Sequence, residues 1–554
     1  MPDITVPESQ RALVFQGGGS LGAYEAGVFH VLYHWIKKDL SVDENIFDIV
    51  AGTSIGAVNA SLIINEILEK KELDLTSNKK AEKTLKYWVD TPEKLIRFWK
   101  NVSANTDNPW DPWNLFDLYR SFIENYLRTN YEIYLKAFPH LQTILPSVES
   151  FRRYYHTQMS LAYGERHIFS PLFIYPLATP VPNKFFDYYS PTSKWYQYSN
   201  VPLRKSIADS NNSLKYNGTT GIKTVYEDRE PRLLLVAVDI KEAKSTTFDS
   251  YKENISINHV LASAAVPKNY PYVEIDGNKY WDGGILSNTP VREVLSEHSK
   301  FWTEKLGYNS DSNSSPKKWT SYEKEKKWFE NNDNDDLKKN NGKKSIPKLE
   351  LCVINLYPSK EEGEQIPTLF DYDLTKDREN DIRFHDKTEY DIKMANVVSD
   401  YKDFVEDMGQ LAIAAIEEIK NRENIVNDLK QSFIEILNKK QRTLTRDERP
   451  RFFYDLIRKR FDIVNVIEIQ RQDDIHTIAN KAFDFSAETI SNLIEQGIMD
   501  TLNRLYQDQK EKSMNNNELI MKFKEWLTNY IKDTNSQSTR DIQRVISDFK
   551  KKIN

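Results

Sequence analysis

Short apolar runs separated by glycine-rich or polar stretches mark the N-terminal half of the chain, and longer runs of helical period mark the rest. Strand-length runs occur at Ala12–Phe15, Ile46–Ala51, Arg232–Asp239 and Leu349–Leu356. They are apolar almost throughout instead of alternating, which fits strands buried on both faces of a sheet. The first two lead through glycines directly into segments of helical spacing, and Ser256–Ala265 predicts a short helix ending at Pro267. Asp276-Gly277 predicts a hairpin turn. Together these predict an α/β fold, a three-layer α/β/α core whose mainly parallel sheet carries helices on both faces, with Leu349–Leu356 completing the sheet.

Other stretches break this rhythm. Residues 87–163 are rich in tryptophan and tyrosine, and LIRFWKNV and LFDLYRSFIENYL within them have the spacing of amphipathic helices. Two prolines make Asn108–Trp113 a turn. The region reads as a cap over an acyl-chain pocket or an interfacial surface, or else as ordinary packing of an inserted helical subdomain. Phe169–Tyr198 is too interrupted by proline for a helix, and Asn211–Gly221 is a polar loop. Thr303–Lys344 is crowded with Lys, Asn, Asp and Glu, and buries too little apolar surface to offset chain entropy. The division expected is a core over 1–302 with an insertion at about 87–163, a flexible polar insertion over 303–346, a final core strand within 347–360, and a mostly helical extension over 361–554. Phe461–Gln470 interrupts that extension with a strand pattern.

Composition narrows the function classes. A formal charge of −6 leaves no basic footprint for nucleic acid. One cysteine, Cys352, excludes an internal disulfide framework and suits a reducing compartment. No apolar stretch approaches the ~20 residues of a membrane span, and the N-terminus lacks the pattern of a secretory signal. A cytoplasmic protein with at most peripheral membrane contact is expected; oligomeric state is not legible. The nine histidines read as scattered, without partners at zinc spacing, so no metal and no cofactor are expected.

Three motifs carry candidate chemistry. Gly52-Thr53-Ser54-Ile55-Gly56 lies between a strand and a helix, the setting of a nucleophile elbow. A serine at such a turn has its hydroxyl pushed outward, and the helix N-terminus beneath it favours a developing anion. The alternative is a small-residue turn at a tight strand–helix junction. Gly17-Gly18-Gly19-Ser20-Leu21-Gly22 joins the first strand to its helix, and adjacent glycines let N–H groups converge on an anion. The same loop fits a dinucleotide-binding pattern, but that pattern needs an acidic residue at the end of the next strand, where the serine elbow stands instead. Asp282-Gly283-Gly284 presents a carboxylate before two permissive residues.

In this order the three motifs resemble the patatin-like phospholipase family. NHVLASAAVPKNYPYVEIDGNKYWDGGILSNTP (Asn258–Pro290) is similar to the family's block around its aspartate, and PLRKSI (Pro202–Ile207) and FDFSAETISNLIEQG (Phe483–Gly497) are similar to a prokaryotic subgroup. The resemblance implies serine-dependent hydrolysis of lipid acyl esters, with Ser54 as nucleophile, Asp282 as base and the N–H groups of Gly17, Gly18 and Gly19 as oxyanion hole. It also implies a lipid acyl ester as substrate. Leu21 departs from the Lys or Arg that many members carry before the loop's last glycine. An acyltransferase, a non-lipid esterase of the same chemistry, or a non-catalytic lipid-binding protein are the alternatives. No triad histidine is expected: after Asp282 only His298, His385 and His476 remain, in charged or polar surroundings.

Overall fold

The computed structural model describes residues 6–76, 84–103, 112–143, 145–172, 197–208, 215–216, 219–306, 322, 326, 346–358, 372–385, 388–419, 423–444, 450–452, 461–472, 477–512, 518–534 and 540–553. Most of the predicted polar insertion, Phe169–Tyr198, the Asn211–Gly221 loop and the Asn108–Trp113 turn therefore lie outside the described residues, as does His476.

Eight strands form the main sheet: β1 (Ser9–Phe15), β2 (Ile49–Thr53), β3 (Arg232–Asp239), β4 (Lys244–Asp249), β5 (Val273–Ile275), β6 (Asn278–Asp282), β7 (Lys348–Asn355) and β8 (Ile463–Gln470). Their order is β8-β7-β1-β2-β3-β6-β5, with β4 also paired to β3. β1, β2 and β3 are parallel; β4 and β6 run antiparallel to β3. The predicted hairpin is present between β5 and β6, with Asp276 at φ 48° and Gly277 at φ 81° as a two-residue turn of this kind requires. One expectation fails. Leu349–Leu356 does not complete the sheet, because β8 joins it beyond β7. The sequence of β8 alternates, with Ile467 and Ile469 buried and Glu468 between them half-buried, as suits an edge strand.

The helices, in order, are α1 (Gly22–Lys37), α2 (Ile55–Thr76), α3 (Thr91–Val102), α4 (Pro112–Ala137), α5 (Val148–Tyr163), α6 (Val201–Ala208), α7 (Ile257–Ser263), α8 (Val291–Lys305), α9 (Tyr372–Phe384), α10 (Thr388–Glu418), α11 (Glu423–Leu437), α12 (Ala487–Lys512), α13 (Glu518–Asp533) and α14 (Arg540–Ile553). Two compact units emerge. One comprises Met1–Arg11, Val291–Leu351 and Lys387–Val466. Within it Ile413, Ile416 and Leu437 pack around Tyr322, and Trp302 donates to Gln10 Oε1 at 2.7 Å. The other comprises Ala12–Pro290, Cys352–Asp386 and Ile467–Asn554, so the last three helices belong with the N-terminal motifs.

In this second unit α3 shows how the aromatic-rich region is used. Leu95, Ile96, Phe98, Trp99 and Val102 recur at helical spacing and are buried. Trp88 and Trp99 have no exposed surface, so for these two the packing reading holds. Burying one such indole contributes on the order of 4–5 kcal/mol before entropy is counted. α1 and α12 cross with their backbones in contact. A Cβ on Gly27 would collide with the carbonyl of Ile494, and one on Gly497 with the carbonyl of Tyr24. Gly497→Val should therefore lower the melting temperature, by an amount matching the 1–3 kcal/mol typical of overpacking. An unchanged thermal melt would show that the two helices separate freely.

Candidate active site

The meeting of Ser54 and Asp282 follows from strand pairing. β4 occupies one edge of β3 from Leu234 to Asp239. The opposite edge is shared by two strands end to end. β2 pairs with Arg232–Val236 and ends at Thr53 opposite Val236. β6 arrives from the other direction and ends at Asp282 opposite Ala237. Each chain must leave the sheet where it meets the other, and the two departures are the serine turn and the Asp-Gly-Gly turn. A Cβ on Gly283 would strike the carbonyl of Val236 and approach the Thr53 side chain, so that position accepts glycine alone. Thr53 Oγ1 donates to Ser287 O at 3.0 Å and ties the two turns together.

Ser54 has φ 55°, a left-handed conformation that costs a non-glycine residue free energy. It is held there by its N–H, which donates to Ser263 Oγ at 2.9 Å, and by its carbonyl, which accepts from Ala57 N and Val58 N as α2 begins. Gly52 and Gly56 are in backbone contact across the turn, where a Cβ on Gly52 would overlap Gly56. The Ser54 side chain stays partly accessible.

The glycine loop lies against this turn. A Cβ on Gly17 would sit 3.0 Å from Ser54 Cβ. The Gly17 N–H, however, donates to Asn288 O at 3.1 Å, and Asn288 Nδ2 donates back to Gly17 O. That amide is committed. Among the described residues the N–H groups of Gly18 and Gly19 have no such partner, and Gly19, at φ 59°, faces the carbonyl of Ala482 so closely that any Cβ would collide. Gly22 is packed against Trp99 and Ile55, and Gly284 donates its N–H to Asp282.

Beneath the loop lies a polar network that sequence reasoning missed. Gln16 is fully buried; its N–H donates to Glu25 Oε1 at 2.8 Å and its side-chain amide to Thr289 Oγ1 at 2.7 Å. Gln16 Oε1 accepts from the N–H groups of Leu356 and Tyr357. Glu25 also accepts from Asn59, whose Oδ1 accepts from Trp99 Nε1. The available signal was a glutamine set between an apolar strand and three glycines.

Asp282 is buried. Its Oδ1 accepts from Gly284 N at 2.7 Å, while Oδ2 is buried without a formed hydrogen bond. Burial pushes the carboxyl up from 3.8 to about 6, and the nearby Ser54 hydroxyl and the Gly284 N–H pull in the other direction. No histidine among the described residues hydrogen-bonds to either. His298 is buried against Phe461 with Nε2 2.9 Å from Pro347 O, and His385 Nδ1 lies 2.9 Å from Ile382 O. Exposed Ile285 and Leu286 follow Asp282, and Ala265, whose carbonyl accepts from Asp282 N, precedes exposed Val266. A cavity of about 400 Å³ reaches Leu21; its lining mixes apolar Leu21, Ile478 and Leu493 with charged side chains, of which Arg153 pairs with Glu149 and Lys481 with Asp381. Contrary to the sequence reading, two histidines do stand at metal spacing: His30 and His34 on α1 face Glu93 on α3.

A family model for patatin-like phospholipases matches residues 13–295, just over half of the chain. No curated protein matches. Among solved structures, VipD from Legionella pneumophila aligns over 98% of this chain and 83% of its own, at 12% identity and a TM-score of 0.23. Among the described residues no helix is long and apolar enough to cross a membrane.

The raised Asp282 carboxyl has a stability consequence. Between 3.8 and about 6 the folded chain holds a proton that the unfolded chain has released, so stability falls as pH rises through this window. At pH 7.5 the penalty is on the order of 3 kcal/mol. Asp282→Asn should therefore melt above wild type at pH 7.5, and the gap should close toward pH 4. A difference independent of pH would contradict the burial account.

Proposed function

The chain belongs to the patatin-like phospholipase family, whose members are lipid acyl hydrolases, and on that premise we propose that it cleaves lipid acyl esters through Ser54 and Asp282. Ser54 Oγ attacks the ester carbonyl as Asp282 Oδ2 takes its proton. The leaving alcohol recovers that proton, and water repeats the sequence on the acyl-enzyme. The N–H groups of Gly18 and Gly19 hold the oxyanion; Gly17, with its N–H committed to Asn288, positions the loop. The observation that carries the reading is the buried Asp282 Oδ2, unpaired and beside the Ser54 hydroxyl. A carboxylate is ordinarily too weak a base for a serine. Burial narrows the gap, and a helix N-terminus lies under the serine.

Such a substrate resides in a membrane, and one surface suits contact with it. Leu118, Phe122 and Tyr126 follow one another at four-residue spacing on α4 and are exposed by 60% or more. We infer that this stripe rests on the lipid surface. No cofactor enters the scheme.

Two experiments test these readings. A fluorophosphonate should label the wild type at Ser54, and kcat/KM on a short-chain ester should rise as pH passes about 6, where Asp282 ionises. Ser54→Ala should abolish labelling and lower kcat by on the order of 10⁴–10⁶. A purified Ser54→Ala protein with near-wild-type turnover would end the assignment. The double variant Leu118→Ser, Phe122→Ser should keep turnover of the soluble ester and lose most of its sedimentation with phospholipid vesicles. Equal vesicle binding by both proteins would remove α4 from the interface.

A further inference from the structure

α1 carries a second chemically distinctive cluster, on the opposite end from the glycine loop. His30 and His34 lie one helical turn apart on it, so both imidazoles point to the same side. His30 lies nine residues beyond Leu21, roughly 13 Å along the helix, and takes no part in the chemistry proposed for Ser54. Glu93, in the first turn of α3, faces both rings. Its Oε1 lies 3.6 Å from His30 Nε2 and 3.9 Å from His34 Nε2. These separations are too long for hydrogen bonds. They are close to the ~3.3–3.6 Å between donors that sit about 2.0–2.2 Å from one tetrahedral ion. Both Nε2 atoms are buried without a hydrogen-bond partner, and His30 has no exposed surface at all. We propose that His30, His34 and Glu93 bind a divalent transition-metal ion of the zinc class as a structural staple between α1 and α3.

The surroundings fit that occupant. His30 Nδ1 lies 2.6 Å from the hydroxyl of Tyr530, a buried residue of α13. Metal-bound histidines commonly donate their second ring nitrogen in this way, which leaves the lone pair of Nε2 facing the ion. The ring of Tyr530 packs 4.6 Å from that of His34, so both ligands are braced by one side chain. Two imidazoles and one carboxylate suit zinc or its neighbours in the first transition row; calcium and magnesium prefer oxygen donors alone. The Glu93 side chain is 28% exposed and that of His34 11%, which leaves an entry path and room for a fourth ligand such as water. The ion would join α1 to α3 directly and to α13 through Tyr530, and so fix the helix that begins at the glycine loop.

The test uses the full chain after dialysis against a chelator. Calorimetric titration with Zn²⁺ should show about one equivalent bound, Co²⁺ should produce the visible absorption of a low-coordinate site, and saturating Zn²⁺ should raise the melting temperature by several degrees. His34→Ala and Glu93→Gln leave the His30–Tyr530 contact intact. Each should weaken Zn²⁺ binding by about 100-fold or more and abolish both the cobalt spectrum and the thermal shift. A wild-type protein whose melt and heats are unchanged by Zn²⁺ would overturn the proposal. So would variants that bind as tightly as wild type, since the ion would then sit elsewhere on the surface.

Discussion

The edge of β3 opposite β4 is the constraint on which the candidate site depends. It holds two strands in line, one parallel and one antiparallel, and their ends meet between Val236 and Ala237. Neither strand can continue without displacing the other, so both turn out of the sheet at the same place. Ser54 and Asp282, more than 220 residues apart in sequence, become neighbours by register. The glycines around them follow from crowding at that junction. Gly283 passes over the Val236 carbonyl, and Gly52 meets Gly56. The motif residues that carry no reacting group are thus explained by the space the strands leave.

A junction of this kind exposes backbone groups that must be satisfied, and the buried polar residues nearby do that work. Gln16 anchors the glycine loop to the segment after Asp282 through Thr289, and to the end of β7 through the amides of Leu356 and Tyr357. Its own N–H is taken by Glu25, whose carboxyl is pushed well above the usual range by burial. A buried network is stabilising only when its members are paired, because an unsatisfied polar atom costs 1–3 kcal/mol. Asp282 Oδ2, beside the Ser54 hydroxyl, is buried without a formed hydrogen bond, as is Trp281 Nε1 next to it. A carboxylate oxygen left in that state carries a local cost, which is consistent with the base role proposed for Asp282.

Much of this was legible in the sequence because it is local. β3 and β7 are largely apolar runs, the turn at Asp276-Gly277 declares itself, and the three glycine motifs stand in the right order. What stayed hidden was long-range. Nothing in FDIVNVIEIQ says that it borders β7, since an alternating run fits any half-covered strand. Gln16 and Asn288 look like ordinary polar residues until the fold closes around them. The commitment of the Gly17 amide could not be read from three equivalent glycines. The four-residue spacing of His30 and His34 was passed over in the sequence, and Glu93 reaches them only because α3 packs on α1.

The C-terminal helices had read as an extension, yet their contacts make them part of the site's foundation. α12 meets α1 backbone to backbone at Gly27 and Gly497. The Ser20 hydroxyl donates to Lys481 O, and the Ala482 carbonyl lies over Gly19. Lys481 is itself held by Asp377 and Asp381 of α9, a buried charge with two buried partners. Lys481 and Ala482, just before the Phe483–Gly497 stretch, therefore back the glycine loop. Its left-handed Gly19 is pinned from outside by a carbonyl that would exclude any side chain, and a loop so confined can hold its amides in one direction. An oxyanion hole needs that rigidity, because donors that must reorganise during the reaction lose most of their effect. Residues far along the chain, with no reacting group among them, would thus govern how well the proposed chemistry runs.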